Sequence, residues 1–117
     1  MEDSSLTLST CIVGVETMTE FVAVTLSGEL DMADADQVAD VLTHAVESGV
    51  PLVRLLLADL KFADSSAIKA ILIGAQSADE HGVRFELVNP RGLVQRLLEV
   101  TGLIDALTVV QEHQAEP

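Results

Sequence analysis

Hydrophobic and polar positions alternate along the first quarter of the chain with the period of a β-strand. Glu20–Ser27 predicts a strand, because Val22, Val24 and Leu26 fall on one face and the residues between them fall on the other: Phe21, Ala23 and Thr25. Leu6–Thr17 is also rich in apolar residues and predicts an earlier strand. The short link between the two predicts a β-hairpin, and Gly28–Asp31 predicts a turn after the second strand.

The pattern then changes to helical spacing. Asp34, with Gln37 three residues later, resembles a capping box and predicts that a helix begins there and ends at Gly49. The following segment, Leu52–Leu57, is almost continuously apolar, which is typical of a buried strand in a parallel sheet.

The second half of the chain alternates helix and strand again. We predict a helix from about Ser65 to Gly82, whose buried stripe is Ile68, Ile71, Leu72 and Ala75. The remaining predicted elements are a strand at Val83–Val88, a helix at Leu93–Thr101 and a short strand or helical turn at Leu107–Val110. The order ββαβαβα plus a short terminal element predicts an α/β fold.

The length of 117 residues predicts one domain, 1–117, with loose ends at about 1–5 and 111–117. Aromatic residues make up only 3% of the chain, so the core must be built from Val, Leu, Ile and Ala. No apolar run is long enough for a transmembrane helix. The acidic start is unlike a secretory signal, and the single Cys11 has no disulfide partner within the chain, so we expect a cytoplasmic protein.

The net charge is −13, from 19 acidic and 6 basic residues. Such a surface repels phosphate backbones and anionic lipids, so we expect no direct binding to DNA, RNA or membranes. A protein partner with a basic face fits this charge better.

The usual catalytic and ligand-binding motifs are absent from the sequence, so we expect no enzyme activity, cofactor or metal. Asp59 and Asp64 follow a buried strand, as the phosphorylated aspartate of a receiver domain does. A receiver also needs an acidic pair after its first strand and a lysine after a late strand. The corresponding segments here, Thr17–Thr19 and Asn89–Arg91, contain neither, which excludes that class.

The junction Asp64-Ser65-Ser66 allows two interpretations. In the first, Asp64 or Ser65 is simply the N-cap of the helix, a common position for both residue types. In the second, Ser65 is a modification site, because the start of a helix stabilises a phosphate through free N–H groups and the helix dipole.

The chain resembles the anti-sigma factor antagonists of the STAS-domain family. Four segments in the right order carry the resemblance: Leu26–Asp31, Phe62–Ser66, Val88–Pro90 and Leu98–Leu103. The resemblance implies a STAS-type mixed sheet of about four to five strands covered by three to four helices. It also implies a bacterial regulator of transcription, often in a stress response, that is not an enzyme.

The resemblance further implies that the unphosphorylated protein binds an anti-sigma factor, which is also a serine protein kinase, and so frees a sigma factor. Phosphorylation of Ser65, with Ser66 as the second choice, would release the partner, and a PP2C-type phosphatase would reset the switch. The implied partner-binding residues are Asp31, Asp64, Ser65, Ser66 and Lys69.

Turn chemistry alone makes Asp31 equally a turn acid that binds its own backbone. Ala67 and Lys69 stand where the family usually has glycine. The alternative function is a non-switching STAS module that acts as a ligand-sensing or scaffold subunit.

Overall fold

A computed structural model describes residues 2–112, which form one mixed α/β unit. In order along this part of the chain, the elements are β1 (Glu2–Thr7), β2 (Cys11–Thr17), β3 (Val22–Leu30), α1 (Ala35–Glu47), β4 (Leu52–Leu56), β5 (Leu60–Ala63), α2 (Ser65–Glu80), β6 (Arg84–Val88), α3 (Gly92–Val100), α4 (Leu103–Ala106) and β7 (Thr108–Val110). The predicted α/β class and mixed sheet are confirmed.

The strands form one sheet in the order β1-β2-β3-β4-β6-β7, with β5 also paired to β3. The first three strands are antiparallel to one another, and β3, β4, β6 and β7 are parallel. The long strand β3 pairs with β4 along its first half and with β5 along its second half. The carboxyl ends of β3 and β5 therefore meet at one edge of the sheet.

The first predicted strand, Leu6–Thr17, is wrong because the chain reverses within it. Leu6 pairs with Val13 across the β1–β2 hairpin, and the N–H of Leu8 donates to the carbonyl of Cys11 at 2.8 Å. Residues 3–5, which we expected to be loose, lie in β1. Apolar residues continue on both sides of the reversal, so the sequence pattern did not predict the turn at Ser9 and Thr10.

The predicted turn Gly28–Asp31 is also wrong, since β3 continues to Leu30. The ladder between β3 and β5 shifts register between Gly28 and Glu29, which marks a bulge. Gly28 has φ 93°, and a Cβ atom there would lie 2.6 Å from the carbonyl oxygen of Thr10. Only glycine fits this backbone without strain.

Strand β5 is missing from the sequence prediction, and the described sheet has seven strands rather than four to five. Two of the four residues of β5, Lys61 and Phe62, are exposed, so the segment lacks the apolar run or the alternation that predicts a strand.

Helices α1 and α2 pack together and cover the central strands. The predicted stripe of α2 is rotated: Leu72 is 40% exposed, and the buried residues of the helix are Ala67, Ala70, Ile71, Gly74 and Ala78. A Cβ atom at Gly74 would lie 3.0 Å from the side chain of Leu42 in α1. Small residues thus let the two helices approach closely, which is how a core with few aromatic rings is filled.

The loose end predicted for 111–117 is only partly described. The N–H of Glu112 donates to Asn89 Oδ1 at 2.6 Å, and its carboxylate pairs with Arg54, so this residue is held against the sheet. Residues 113–117 lie outside the described part of the chain.

Candidate functional site

Helix α2 begins at Ser65, and Asp64 is its N-cap. Asp64 has extended backbone angles, and its Oδ1 atom accepts hydrogen bonds from the N–H groups of Ser66 at 2.9 Å and Ala67 at 3.1 Å. Its carbonyl accepts from the N–H of Ile68, which closes the first helical turn. The cap is therefore Asp64, and the Ser65 side chain is not needed for it.

The Ser65 side chain is exposed, and its hydroxyl makes no hydrogen bond to any other residue in the described range. Ser66 is partly buried beside it. Of the two hydroxyls, that of Ser65 is the more accessible to an approaching protein.

Asp31 lies next to this helix terminus because of the strand register. Leu30 at the end of β3 pairs with Ala63 at the end of β5, so the following residues, Asp31 and Asp64, leave the sheet side by side. The N–H of Asp64 donates to the Leu30 carbonyl at 3.4 Å, which ties the two strand ends together. The residues predicted as one surface from the sequence are thus neighbours in the fold.

The Asp31 side chain has a local structural role as well. Its Oδ1 atom accepts from the N–H of Ala33 at 3.0 Å, and its carbonyl accepts from the N–H groups of Asp34 and Ala35. These bonds form the turn that leads into α1. Asp31 remains partly exposed, so its second oxygen is free to meet a partner.

Exposed apolar side chains flank Ser65 on both sides. One groove, about 190 Å³ in volume, lies between α1 and α2 and is lined in part by Met32, Asp36, Ser66, Lys69 and Ile73. A second groove of about 240 Å³ lies between β5 and α3, with Phe62, Leu93, Arg96 and Val100 in its lining. Met32, Leu93 and Val100 are 76%, 64% and 78% exposed, so each groove has a strongly exposed apolar side chain at its edge.

Asp34 is the residue that the sequence analysis misassigned. It is the N-cap of α1 by position, but its side chain makes no capping hydrogen bond. The fully buried carboxylate instead accepts from the backbone N–H groups of Ser9 at 3.0 Å, Thr10 at 2.8 Å and Cys11 at 3.0 Å. It therefore fastens the β1–β2 turn to the start of α1, close behind Asp31.

The protonation of Asp34 and Cys11 follows from this arrangement. Burial alone would raise the pKa of the Asp34 carboxyl, but the hydrogen bonds from Thr10, Ser9 and Cys11 outweigh it and hold the pKa below its ordinary value. Burial raises the pKa of the Cys11 thiol, and the nearby Asp34 charge adds to that effect. The thiol is thus protonated at neutral pH, as expected for a structural cysteine.

Within residues 2–112, no group of three or more His, Cys, Asp or Glu side chains is arranged to hold a metal ion. None of the helices in the described part of the chain is both long and apolar enough to cross a bilayer.

The family model for the STAS domain matches residues 13–115. The chain therefore belongs to the STAS domain family. A comparison with curated proteins gave no match.

Three solved structures illustrate the similarity. The anti-sigma factor antagonist SpoIIAA in its unphosphorylated form has a TM-score of 0.76 and 23% identity over 87% of this chain and 89% of that one. An anti-sigma factor antagonist from Mycobacterium paratuberculosis has a TM-score of 0.73 and 22% identity, over 93% of this chain and 86% of that one. The Bacillus protein SpoIIAA in the phosphorylated form has a TM-score of 0.70 and 23% identity, over 87% of this chain and 92% of that one. At these identities the likeness concerns the fold.

Proposed function

We propose that this protein is an anti-sigma factor antagonist controlled by phosphorylation of Ser65. Its unphosphorylated form binds an anti-sigma factor with serine kinase activity and so frees a sigma factor. The observation that carries the proposal is the exposed, unbonded Ser65 hydroxyl at the first residue of α2, beside Asp31 and Asp64 at the paired strand ends.

The comparisons support this proposal through the named functions of proteins with the same fold. SpoIIAA is described as an anti-sigma factor antagonist, and both its phosphorylated and unphosphorylated forms are known. We extend that behaviour to this chain because the Ser65 side chain is exposed and so accessible to a kinase.

The physical basis of the switch is charge. A phosphoserine adds about −1.5 to −2 charges at neutral pH, next to two carboxylates already on the same surface. If the partner places an acidic group near this surface, the added charge repels it, and like charges brought together at an interface cost several kcal/mol. A loss of about 3 kcal/mol would weaken binding roughly a hundredfold.

The flanking grooves fit the partner's apolar side chains, and the net charge of −13 favours a partner with a basic rim. In this proposal the chain acts in the cytoplasm as a binding protein without catalytic activity. The kinase is the anti-sigma factor itself, and a PP2C-type phosphatase restores the binding form.

Mass spectrometry after incubation with ATP and the cognate anti-sigma kinase tests the modification. We expect one added phosphate on the unmodified chain and on Ser66→Ala, and none on Ser65→Ala. Ser66→Ala is the matched control because it removes the neighbouring hydroxyl in the same helical turn. An unchanged mass for the chain, or a phosphate that persists in Ser65→Ala, would exclude Ser65 as the control point.

A separate groove favours the alternative of a ligand-sensing module. It measures about 400 Å³, within the range of small-molecule sites, and lies between the β-hairpin and α1 with Val15, Val22 and Val41 in its lining. Val22 begins β3, so this groove lies at the opposite end of the strand from Ser65. Under this alternative, filling the groove with Val41→Trp at a partly buried lining residue abolishes ligand binding, while Ser65→Ala leaves it unchanged.

A further inference from the structure

Lys69 stands one helical turn after Ser65 on the same exposed side of α2. Residues four apart on a helix have Cβ atoms about 5–6 Å apart, close enough for their charges to interact. Helical side chains also lean toward the N-terminus of the helix, so the long side chain of Lys69 is directed back over the turn that contains Ser65.

The ammonium group of Lys69 is available for a new partner. Both ion pairs between described residues involve Arg54, and Lys69 takes part in neither. Asp36 of α1 lines the same groove as Lys69 but forms no ion pair with it. A phosphate dianion attracts the ammonium more strongly than a single exposed carboxylate does.

A phosphate on Ser65 would find three of the backbone donors at the start of α2 already taken. Asp64 accepts the N–H groups of Ser66 and Ala67, and the N–H of Ile68 donates to the Asp64 carbonyl. The helix dipole and the N–H of Ser65 itself still favour the phosphate, but any further donor must come from a side chain. Lys69 is the cation that the helix places within reach.

We infer that phosphorylation of Ser65 creates an ion pair between the phosphate and Lys69, which holds a positive charge beside the phosphate and offsets part of its field. This inference rests on the proposed function, because it describes the modified form of the same site. An anion four residues before a lysine is the favourable order for a helical ion pair. Lys69 is thus a positioning residue that holds the phosphate over the first turn of α2 and moderates the switch.

Phosphorus NMR tests the ion pair without any partner or kinase. Phosphoserine is incorporated at position 65 during translation, in the otherwise unmodified chain and in Lys69→Gln, Lys61→Gln and Arg96→Gln. The last two are matched controls, because Lys61 in β5 and Arg96 in α3 are the other exposed cations on elements beside the site.

We expect the phosphate of the chain with Lys69 to titrate at a pH about 0.3 lower than in Lys69→Gln, the shift that an ion pair at this spacing produces. Lys61→Gln and Arg96→Gln should match the unmodified sequence, and about 1 M salt should remove most of the difference. Equal titration in Lys69→Gln, or a larger change in either control, would overturn the assignment.

A binding measurement adds the functional consequence. If the anti-sigma factor binds as proposed, the phosphorylated Lys69→Gln chain should bind about twofold more weakly than the phosphorylated chain with Lys69. Failure of the anti-sigma factor to bind even the unphosphorylated chain would contradict the proposed function, while the NMR result would still decide the ion pair.

Discussion

Asp34 and Asp64 are both acids at the start of a helix, yet their carboxylates bind different groups. Asp64 accepts from the first turn of its own helix, whereas Asp34 accepts from the turn between β1 and β2, more than 20 residues earlier in the chain. The sequence around each residue predicts a cap in both cases. The donors that Asp34 meets are brought to it by the fold, so local spacing could not reveal them.

Replacing Asp34 with asparagine should lower the free energy of unfolding by about 2 kcal/mol, the usual effect of losing charge-assisted hydrogen bonds in a buried site. Urea denaturation at neutral pH measures this loss. The control is Asp36→Asn in the same helix, which is exposed and should change stability by less than about 0.5 kcal/mol. Equal stabilities for the two variants would contradict the role of Asp34.

The lowered pKa of Asp34 also predicts a pH dependence. Below the ordinary aspartate pKa of about 4, Asp34 binds a proton in the unfolded state but stays ionised in the folded state. Its contribution to the free energy of unfolding is therefore lost as the pH falls from there through the folded-state pKa. The unmodified chain should therefore lose stability in acid more steeply than Asp34→Asn. Parallel stability curves for the two proteins between about pH 5 and 2 would exclude this linkage.

The thiol of Cys11 should react slowly in the folded protein, because it is buried and its pKa is raised. Labelling with a thiol-specific reagent at neutral pH should be much slower in buffer than in denaturing urea. Comparable labelling rates in the two conditions would show that the thiol is accessible in the native state.

At the scale of elements, the long, strongly patterned segments were predictable and the short ones were not. The helices near Ala35–Glu47 and Ser65–Glu80 and the strand Leu52–Leu56 follow from apolar spacing over several turns or a continuous apolar run. Strand β5 has four residues, two of them exposed, and depends on its pairing with β3. The resemblance implied that Asp31 and Asp64 share a surface, but the strand pairing that holds them side by side came from the structure.

The bulge at Gly28 allows β3 to continue to Leu30. Replacing Gly28 tests how much the bulge contributes to stability. Gly28→Ala should lower the free energy of unfolding by about 1–2 kcal/mol because of the positive φ. The new Cβ, 2.6 Å from the Thr10 carbonyl oxygen, should lower it further. Gly82→Ala is the matched control: Gly82 also has a positive φ, but a Cβ atom there would have no neighbouring atom within 4 Å. A Gly28→Ala loss no larger than that of Gly82→Ala in thermal unfolding would show that the contact is unimportant.

Across the whole molecule, two candidate surfaces lie at opposite ends of β3. The Ser65 surface lies beyond the carboxyl ends of β3 and β5, and the groove of about 400 Å³ lies near the amino end of β3. The element order and the resemblance could predict the first, because helices that follow parallel strands begin at one edge of the sheet. The groove depends on how the β-hairpin and α1 pack against each other, which no local sequence pattern predicts.

The net charge of −13 gives a prediction at this scale. If the partner has a basic face, the association rate with the anti-sigma factor should fall at least about tenfold between low salt and 0.5 M salt, while the dissociation rate changes little. Stopped-flow mixing measures both rates. An association rate independent of salt would mean that the acidity of the chain serves solubility alone.

The central claim is that the charge state of Ser65 decides whether this protein holds its partner. The most direct measurement is the affinity of the purified anti-sigma factor for the chain with serine and with phosphoserine at position 65, compared by calorimetry. We expect tight binding of the serine form and a dissociation constant about a hundredfold higher for the phosphoserine form. Equal affinities for the two forms would contradict it.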